Sequence, residues 1–226
     1  TDPYQGTAAA KYAAKNGIKK VAILTNTSSD YSVGLAAAFK EEAAKQGLQV
    51  VEEKYTKDDK DFKSILTNIK NQTPDAIFIP DYYGTVGLIA TQAKELGMTA
   101  KYLGGDGWDG VQKDFAAVTE GAVFASQFAP DDTTPMVQKF IAAYKAKTGT
   151  DPNVFAALGY DTGSIVGAAL KNAKDMTPES IRDAVKAVSL DLVTGKLVFD
   201  ADRNPQKAVT FVEVKGGKVV LKEKVQ

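Results

Sequence analysis

Three residues whose side chains could bind a ligand, Tyr31, Tyr82 and Asp106, each follow a different short apolar run of the chain. In an open parallel α/β sheet, the carboxyl ends of the strands form the crevice where ligands bind. If the apolar runs are strands of such a sheet, two phenol rings and one carboxylate meet at that crevice. This combination suits recognition of a small cationic or zwitterionic molecule better than it suits catalysis.

The amino-acid composition excludes several kinds of chemistry. None of the 226 residues is Cys or His, which removes thiolate nucleophiles, disulfides, the commonest general base and the commonest metal ligand. The 28 Lys and Arg residues balance 28 Asp and Glu residues, and no basic stripe of the kind that binds nucleic acid is present. We therefore predict a protein that is not an enzyme and uses no metal, cofactor or nucleic acid.

The segment from Gly105 to Gly110 has the spacing of the dinucleotide-binding fingerprint. Its Asp106 and Asp109 would place carboxylates beside a pyrophosphate, and no long helix is predicted before Gly121. The ribose-binding acid expected about 20 residues further on is also missing. A carboxylate in a tight glycine loop suits an ammonium group better, and a plain turn-forming role for Asp106 is the alternative.

Apolar runs alternate with helix-forming segments over the first 125 residues, which predicts βαβ units and a parallel sheet. The predicted strands are 21–24, 48–51, 76–79 and 102–103, and the predicted helices are 2–16, 35–46, 61–70 and 86–96.

The pattern changes after residue 125, where three helices are predicted in succession and no strand lies among them on which they could pack. These helices are 136–147, 153–173 and 177–188, and β-strands return at 196–199, 209–214 and 219–221, with a Gly216-Gly217 hairpin turn. We therefore predict an α/β lobe formed by 1–125 and 206–226, and a mainly helical segment at 126–205.

Five motifs occur in a characteristic order along the chain: Asp-Pro-Tyr-Gln-Gly-Thr-Ala-Ala-Ala-Lys-Tyr at 2–12, Ser-Asp-Tyr-Ser-Val-Gly at 29–34, Pro-Asp-Tyr-Tyr-Gly at 80–84, Gly-Gly-Asp-Gly at 104–107 and Phe-Ala-Ala-Leu-Gly-Tyr-Asp at 155–161. Over essentially its whole length the chain resembles the extracytoplasmic solute-binding proteins that serve ABC transporters for branched-chain amino acids. The resemblance implies the type I periplasmic-binding-protein fold, in which two lobes close around a ligand.

The resemblance also implies roles for five residues. Tyr31 and Tyr82 would line the ligand cleft, and Asp106 would face the α-ammonium group of the ligand, at a position where many family members have Glu. Phe155 would contribute to the apolar pocket for the ligand side chain, with Trp108 as a weaker candidate beside it. These roles agree with the chemistry of the residues, since ammonium pairs with carboxylate and aliphatic groups pack on aromatic rings.

The chain departs from the family in length. Members usually begin with another α/β lobe of roughly 120 residues, whereas this chain opens at the crossing into the second lobe. The resemblance therefore implies an incomplete site and a helical segment that normally packs on the missing first lobe. The implied partners are an amino acid of the Leu, Ile and Val class, ABC permease subunits, and either the missing lobe or a second copy of the chain.

The implied location is extracytoplasmic, either periplasmic or lipid-anchored at the cell surface, and no signal sequence is evident because the chain opens on the predicted helix start at Asp2 and Pro3. Two other functions stay open. One is a sensor or regulator of an amino acid or amide on the same fold, and the other is an enzyme with a nucleotide at the glycine loop. The preferred aliphatic amino acid is also open, because a methylene contributes only about 1–3 kcal/mol of discrimination.

Overall fold

The computed structural model describes residues 2–225, which form two units. The α/β unit consists of 2–126 and 209–225, and the helical unit consists of 127–208. Thr1 and Gln226, the end residues of the predicted α/β lobe, lie outside the described residues.

The helices are α1 (Asp2–Lys15), α2 (Asp30–Lys45), α3 (Lys63–Asn71), α4 (Tyr83–Glu95), α5 (Val111–Asp114), α6 (Ala116–Thr119), α7 (Pro135–Thr148), α8 (Val154–Asn172) and α9 (Pro178–Lys186). The strands are β1 (Lys20–Asn26), β2 (Gln49–Tyr55), β3 (Ala76–Ile79), β4 (Lys101–Gly104), β5 (Val123–Ser126), β6 (Leu190–Leu192), β7 (Gly195–Phe199), β8 (Pro205–Gln206), β9 (Val209–Lys215) and β10 (Lys218–Val225). A short 3₁₀ turn spans Asp106–Trp108.

The seven-stranded sheet of the α/β unit has the order β10-β9-β5-β4-β3-β1-β2. The five neighbouring strands β5, β4, β3, β1 and β2 are parallel. The strands β9 and β10 add an antiparallel hairpin beside β5. The predicted parallel α/β architecture is therefore confirmed. Because β2 and β3 lie on opposite sides of β1, the chain reverses direction across the sheet at β1, and a ligand crevice is expected at the carboxyl ends of β1 and β3.

Both faces of the sheet are covered, as the continuous apolar runs of β1 and β3 require. Val21, Ile23 and Phe78 pack in one cluster with the apolar side chains of α1 and α2. Ala22 and Leu24, which point to the other face, are fully buried as well. The strand ends are consequently held by a core on each side, and the loops that follow them start from fixed positions.

Close packing between α1 and α2 depends on Gly6. A Cβ at this position would lie 2.3 Å from the carbonyl oxygen of Leu35, a backbone atom that cannot move away cheaply. The short side chains of α1 that follow are also buried against the core. This close approach brings the neighbouring Gln5 to the loop that follows β4.

The helical unit has its own core and a small antiparallel sheet of order β6-β7-β8. The predicted strand at 196–199 corresponds to β7, whereas β6 and β8, which give the helices a small sheet beside them, were not predicted. The strand β6 covers only three residues, 190–192, which is too short to show an alternating pattern in the sequence. Buried Asp161 holds the β6–β7 turn by accepting hydrogen bonds from the amides of Val193 and Thr194, each at 2.9 Å.

Helix α8 exposes a large part of its apolar surface within the helical unit. The exposed side chains include Phe155, Tyr160, Val166 and Leu170. The helix surface is also uncovered at Gly163, since a Cβ there would meet nothing within 4 Å. An apolar helix of this length normally packs against another element, so this surface lacks the cover that its composition calls for.

No helix within residues 2–225 combines the length and the apolar character that crossing a bilayer requires.

Candidate ligand site at the strand ends

Each of the three strand-end residues is placed by the element that begins after its strand. Ser29 caps α2 by accepting a hydrogen bond from the amide of Ser32, which puts Tyr31 in the first turn of that helix. Tyr82 is the residue before α4, and Asp106 opens the 3₁₀ turn after β4. The three residues thus lie at the carboxyl ends of β1, β3 and β4, which are adjacent in the sheet.

The structure brings Tyr31, Tyr82 and Asp106 into one group. The Tyr31 hydroxyl donates a 3.0 Å hydrogen bond to Oδ1 of Asp106 and accepts one of 3.0 Å from the amide of Gly107. The rings of Tyr31 and Tyr82 are stacked, with centroids 5.1 Å apart and an interplanar angle of 26°. Tyr82 is 55% exposed, so the group opens to solvent on its side.

Gln5 is a part of this group that the sequence analysis missed. Its side chain is 4% exposed, and its Oε1 accepts a 2.9 Å hydrogen bond from the amide of Asp106. The contact joins α1 to a loop 101 residues further along the chain, which no local sequence pattern reveals. Asp106 is therefore fixed at its backbone by Gln5 and at its side chain by Tyr31.

The glycines of this loop allow close packing. A Cβ at Gly105 would lie 2.6 Å from the hydroxyl oxygen of Tyr31 and 2.7 Å from Cδ2 of Leu35. A Cβ at Gly107 would lie 3.0 Å from the carbonyl oxygen of Asp81 and 3.1 Å from the Tyr31 hydroxyl. Since the Gly107 amide also donates to Tyr31, it is not free to bind a phosphate, which argues against a nucleotide at this loop.

The electrostatics of the group are set by burial and by the Asp106 charge. Burial, and then the negative charge of Asp106, raise the pKa of the Tyr31 phenol far above its ordinary value, so it remains a neutral donor. Burial also raises the pKa of Asp109, with Asp106 adding to the shift and Lys113 opposing it. The loop therefore disfavours a negative charge at Asp109.

A buried carboxylate, Asp81, lies beneath the two tyrosines. It accepts hydrogen bonds from the amide of Tyr82 at 2.7 Å, from Nδ2 of Asn26 at 3.0 Å and from the Tyr55 hydroxyl at 2.5 Å. The sequence offered one signal for this role, because Asp81 is an acid two residues beyond a fully apolar strand. Its partners come from the ends of β1 and β2 and could not be identified without the strand order.

Trp108 does not reach the surface of the candidate site. Its side chain is completely buried, and its Nε1 donates a 2.8 Å hydrogen bond to the carbonyl oxygen of Ile79. A Cβ at Gly104 would lie 2.3 Å from the indole, so the ring fills the space against β4. The prediction of Trp108 as a ligand residue is corrected, since a large aromatic group with a satisfied N–H belongs to the core beneath the loop.

Phe155 lies in the first turn of α8, in the helical unit, and its side chain is 62% exposed. It is therefore not among the residues that follow the strands of the α/β unit. Its contact with a ligand stays a prediction.

A cavity of about 500 Å³ lies at the other edge of the sheet, at the amino ends of β4 and β5. Tyr12, Tyr102, Glu213 and Lys222 are among the side chains that line it. Lys222 and Glu213 form a 2.9 Å ion pair, so these two charges already satisfy each other. The carboxyl-end group around Asp106 remains the better candidate for recognition.

The carboxylate and the two stacked phenols lie at the strand ends of a doubly wound sheet, which is where proteins of this architecture bind ligands. A family model described as "Periplasmic binding protein" matches residues 1–218. The chain belongs to this family and has the type I periplasmic-binding-protein fold.

The chain is similar to several branched-chain amino-acid receptors. A leucine-binding protein of Thermotoga maritima MSB8 is 33% identical with a TM-score of 0.92, over all of this chain and 66% of that one. A Streptococcus pneumoniae transporter substrate-binding protein in complex with isoleucine is 34% identical with a TM-score of 0.84, over 99% of this chain and 66% of that one. The leucine-, isoleucine-, valine-, threonine- and alanine-binding protein of Pseudomonas aeruginosa is 26% identical over 88% of this chain and 54% of its own length.

The chain covers only part of these relatives, and similar proteins bind a different kind of solute. The chain spans about half the length of the curated relative and about two thirds of each solved structure. A solute-binding protein of Rhodopseudomonas palustris BisB5 in complex with 3,4-dihydroxybenzoic acid is also similar, at 28% identity and a TM-score of 0.82 over all of this chain and 65% of that one. Proteins of this fold and this degree of similarity therefore bind more than one class of solute.

Proposed function

We propose that this chain is part of an extracytoplasmic receptor that binds a branched-chain aliphatic amino acid and delivers it to an ABC importer. The two lobes of the whole receptor would close around the ligand, and the closed form would be recognised by the permease subunits. The observation that carries the proposal is the placement of Asp106 beside two stacked tyrosines at the switch point of the sheet. No step of this function is catalytic.

The hydrogen bonds of Asp106 leave room for an ammonium group. Its Oδ1 accepts from Tyr31 and its amide is held by Gln5, while Oδ2 accepts no hydrogen bond from the residues within 2–225. A carboxylate that is anchored on one oxygen and free on the other suits a charge-assisted hydrogen bond to a ligand ammonium. The exposed ring of Tyr82 supplies an apolar surface next to this position.

The exposed face of α8 supports the proposal that the binding site is shared with a further segment. Phe155, Tyr160, Val166 and Leu170 leave this face apolar, and the chain covers only 54–66% of the relatives named above. We propose that in the whole receptor a first lobe covers this face and supplies donors for the ligand carboxylate. A second copy of the chain is the alternative cover. The chain alone is expected to bind its ligand weakly or not at all, because the ligand contacts of the first lobe would be absent.

An NMR titration tests the proposal on the chain itself, since it detects binding even at a Kd of ~10 mM, which is about 3 kcal/mol of binding free energy. We expect leucine, isoleucine and valine to shift the amide resonances of residues 104–107 and 82–84, with glycine as the control that lacks an aliphatic side chain. Absence of any leucine-dependent shift in a folded chain, together with shifts from another solute, would contradict the choice of ligand.

Aromatic carboxylates are a second candidate class of ligand. The similarity to the 3,4-dihydroxybenzoic acid complex favours them, and the stacked Tyr31 and Tyr82 rings could pack against a benzene ring. These molecules have no ammonium group, so their binding should not require the Asp106 charge. A titration of the Asp106→Asn variant with both ligands separates the candidates, because only amino-acid binding should be lost.

A further inference from the structure

Asp81 is buried beneath the candidate site and joins the ends of three neighbouring strands. The residue is 3% exposed. Its Oδ1 accepts from the amide of Tyr82, and its Oδ2 accepts from both Nδ2 of Asn26 and the hydroxyl of Tyr55. Asn26 ends β1 and Tyr55 ends β2, while Asp81 itself follows β3. A buried carboxylate is stable only when donors of this kind compensate its desolvation.

Asn26 extends the influence of Asp81 to the loop that carries Tyr31. Its side-chain Oδ1 accepts a 3.0 Å hydrogen bond from the backbone amide of Ser28. Its backbone amide donates a 2.9 Å hydrogen bond to Oγ of Ser32. These contacts fix the loop on both sides of Tyr31. Asp81 is thus linked to Tyr82 directly and, through the Asn26 side chain, to Ser28 in the segment that leads to Tyr31.

We propose that Asp81 is the positioning residue of the candidate site, and that its buried charge holds Tyr31 and Tyr82 in their stacked arrangement. The stack is made by residues from different loops, so it requires both loops to be set relative to each other. Asp81 contacts the Tyr82 loop directly and is linked to the Tyr31 loop through the Asn26 side chain. The effect on ligand affinity rests on the function proposed above, whereas the effect on the tyrosine rings does not.

An Asp81→Asn substitution separates charge from shape. Asn keeps the outline of Asp but replaces one acceptor oxygen by an NH₂ donor. In one orientation that donor faces the amide of Tyr82, and in the other it faces Nδ2 of Asn26. Asn26 cannot simply flip in response, because its Oδ1 is held by the Ser28 amide. Either orientation therefore breaks a link to one of the two tyrosine loops.

Tyr55→Phe is the matched control. The variant removes the hydrogen bond from Tyr55 to Oδ2 of Asp81 but leaves the links to Tyr82 and Asn26 in place. Its ring stays packed edge-on against Phe62, with centroids 5.1 Å apart. Both variants lose buried hydrogen bonding and thus stability, but only Asp81→Asn releases the site loops.

The experiment is ¹⁹F NMR of the chain labelled with 3-fluorotyrosine, with the Tyr31 and Tyr82 signals assigned from Tyr31→Phe and Tyr82→Phe. We expect Asp81→Asn to shift both signals and Tyr55→Phe to leave both unchanged, while urea unfolding measures the stability of each variant. Unchanged signals in Asp81→Asn would overturn the proposal. Equal shifts in Tyr55→Phe would also overturn it, since general loss of stability would then explain the result.

Asn26→Ala keeps the proposal testable if Asp81→Asn fails to fold. This variant cuts the link between Asp81 and the Tyr31 loop but spares the link to Tyr82. The Tyr31 signal should move from its parental position while the Tyr82 amide remains protected from exchange, and an unmoved Tyr31 signal would overturn the proposal. In a leucine titration, Asp81→Asn should lose about tenfold in affinity, by analogy with residues that orient the ligands of a metal. A parent that binds another solute and not leucine would contradict the proposed ligand and leave the ring-position result unaffected.

Discussion

The Tyr31 hydroxyl and Oδ1 of Asp106 are joined by a 3.0 Å hydrogen bond across 75 residues of sequence. The bond connects the loop after β1 with the loop after β4, on either side of β3 in the sheet order. Tyr31 also accepts from the amide of Gly107, so one phenol fixes both the side chain and the following peptide of the Asp106 loop. The candidate site therefore owes its shape to contacts between loops.

Tyr31→Phe should loosen the Asp106 loop while it preserves the aromatic stack. The substitution deprives the Gly107 amide of its acceptor and Asp106 of a donor, and we expect a loss of about 1 kcal/mol in the free energy of unfolding. Urea unfolding measures the stability, and hydrogen exchange at Gly107 should become faster. Tyr83→Phe is the control, since Tyr83 is exposed and its hydroxyl makes no hydrogen bond with residues in the range 2–225. Equal exchange rates at Gly107 in the two variants would argue against the role of the Tyr31 hydroxyl.

Gly105→Ala should be destabilising because of the space around it, by about 1–3 kcal/mol. The added methyl would lie 2.6 Å from the Tyr31 hydroxyl and 2.7 Å from Cδ2 of Leu35. Gly34→Ala, in α2, is the control, since a Cβ there meets nothing within 4 Å and Ala favours a helix over Gly by about 0.5–1 kcal/mol. Thermal unfolding should move the two midpoints in opposite directions. A neutral Gly105→Ala would show that the loop has room to shift.

Asp109→Asn should stabilise the chain at neutral pH. Because burial raises the pKa of Asp109 in the folded state, the folded chain binds this proton more tightly than the unfolded chain does. Ionisation of Asp109 therefore lowers stability as the pH rises from the ordinary carboxyl range, near 3.9, to above the raised value. The variant removes this loss, so its advantage in urea unfolding should be present at pH 7 and absent near pH 3. An advantage of the same size at both pH values would refute this origin.

The sequence predicts the α/β unit well because its central strands β1 and β3 are buried on both faces. The continuous apolar runs at β1 and β3 can be recognised without any long-range information. The Gly216-Gly217 turn is equally local, and both glycines adopt the positive φ values that a tight hairpin requires. The short β6 was missed, since it forms only when Asp161 fixes the turn beyond it.

The candidate site was predictable only in part. Strand-end position alone selects Tyr31, Tyr82 and Asp106, which the structure places side by side. The family resemblance added Trp108 as a weaker candidate, but its indole turns inward to a main-chain acceptor. Gln5 and the partners of Asp81 depend on strand order and helix packing, so no local pattern could reveal them. Contact with a ligand remains a proposal for each of these residues.

The most direct test of the account is whether binding depends on the pairing of a ligand ammonium with Asp106. The measurement is an NMR titration of the chain and of Asp106→Asn with leucine and with 4-methylpentanoic acid, which resembles leucine without its ammonium group. Asp114→Asn, at an exposed carboxylate of α5, is the matched control. We expect the parent and the control to prefer leucine by about 10–100-fold, the worth of a hydrogen bond to a charged group, and Asp106→Asn to lose this preference. Equal binding of the two ligands by the parent, or an unchanged preference in Asp106→Asn, would contradict the account.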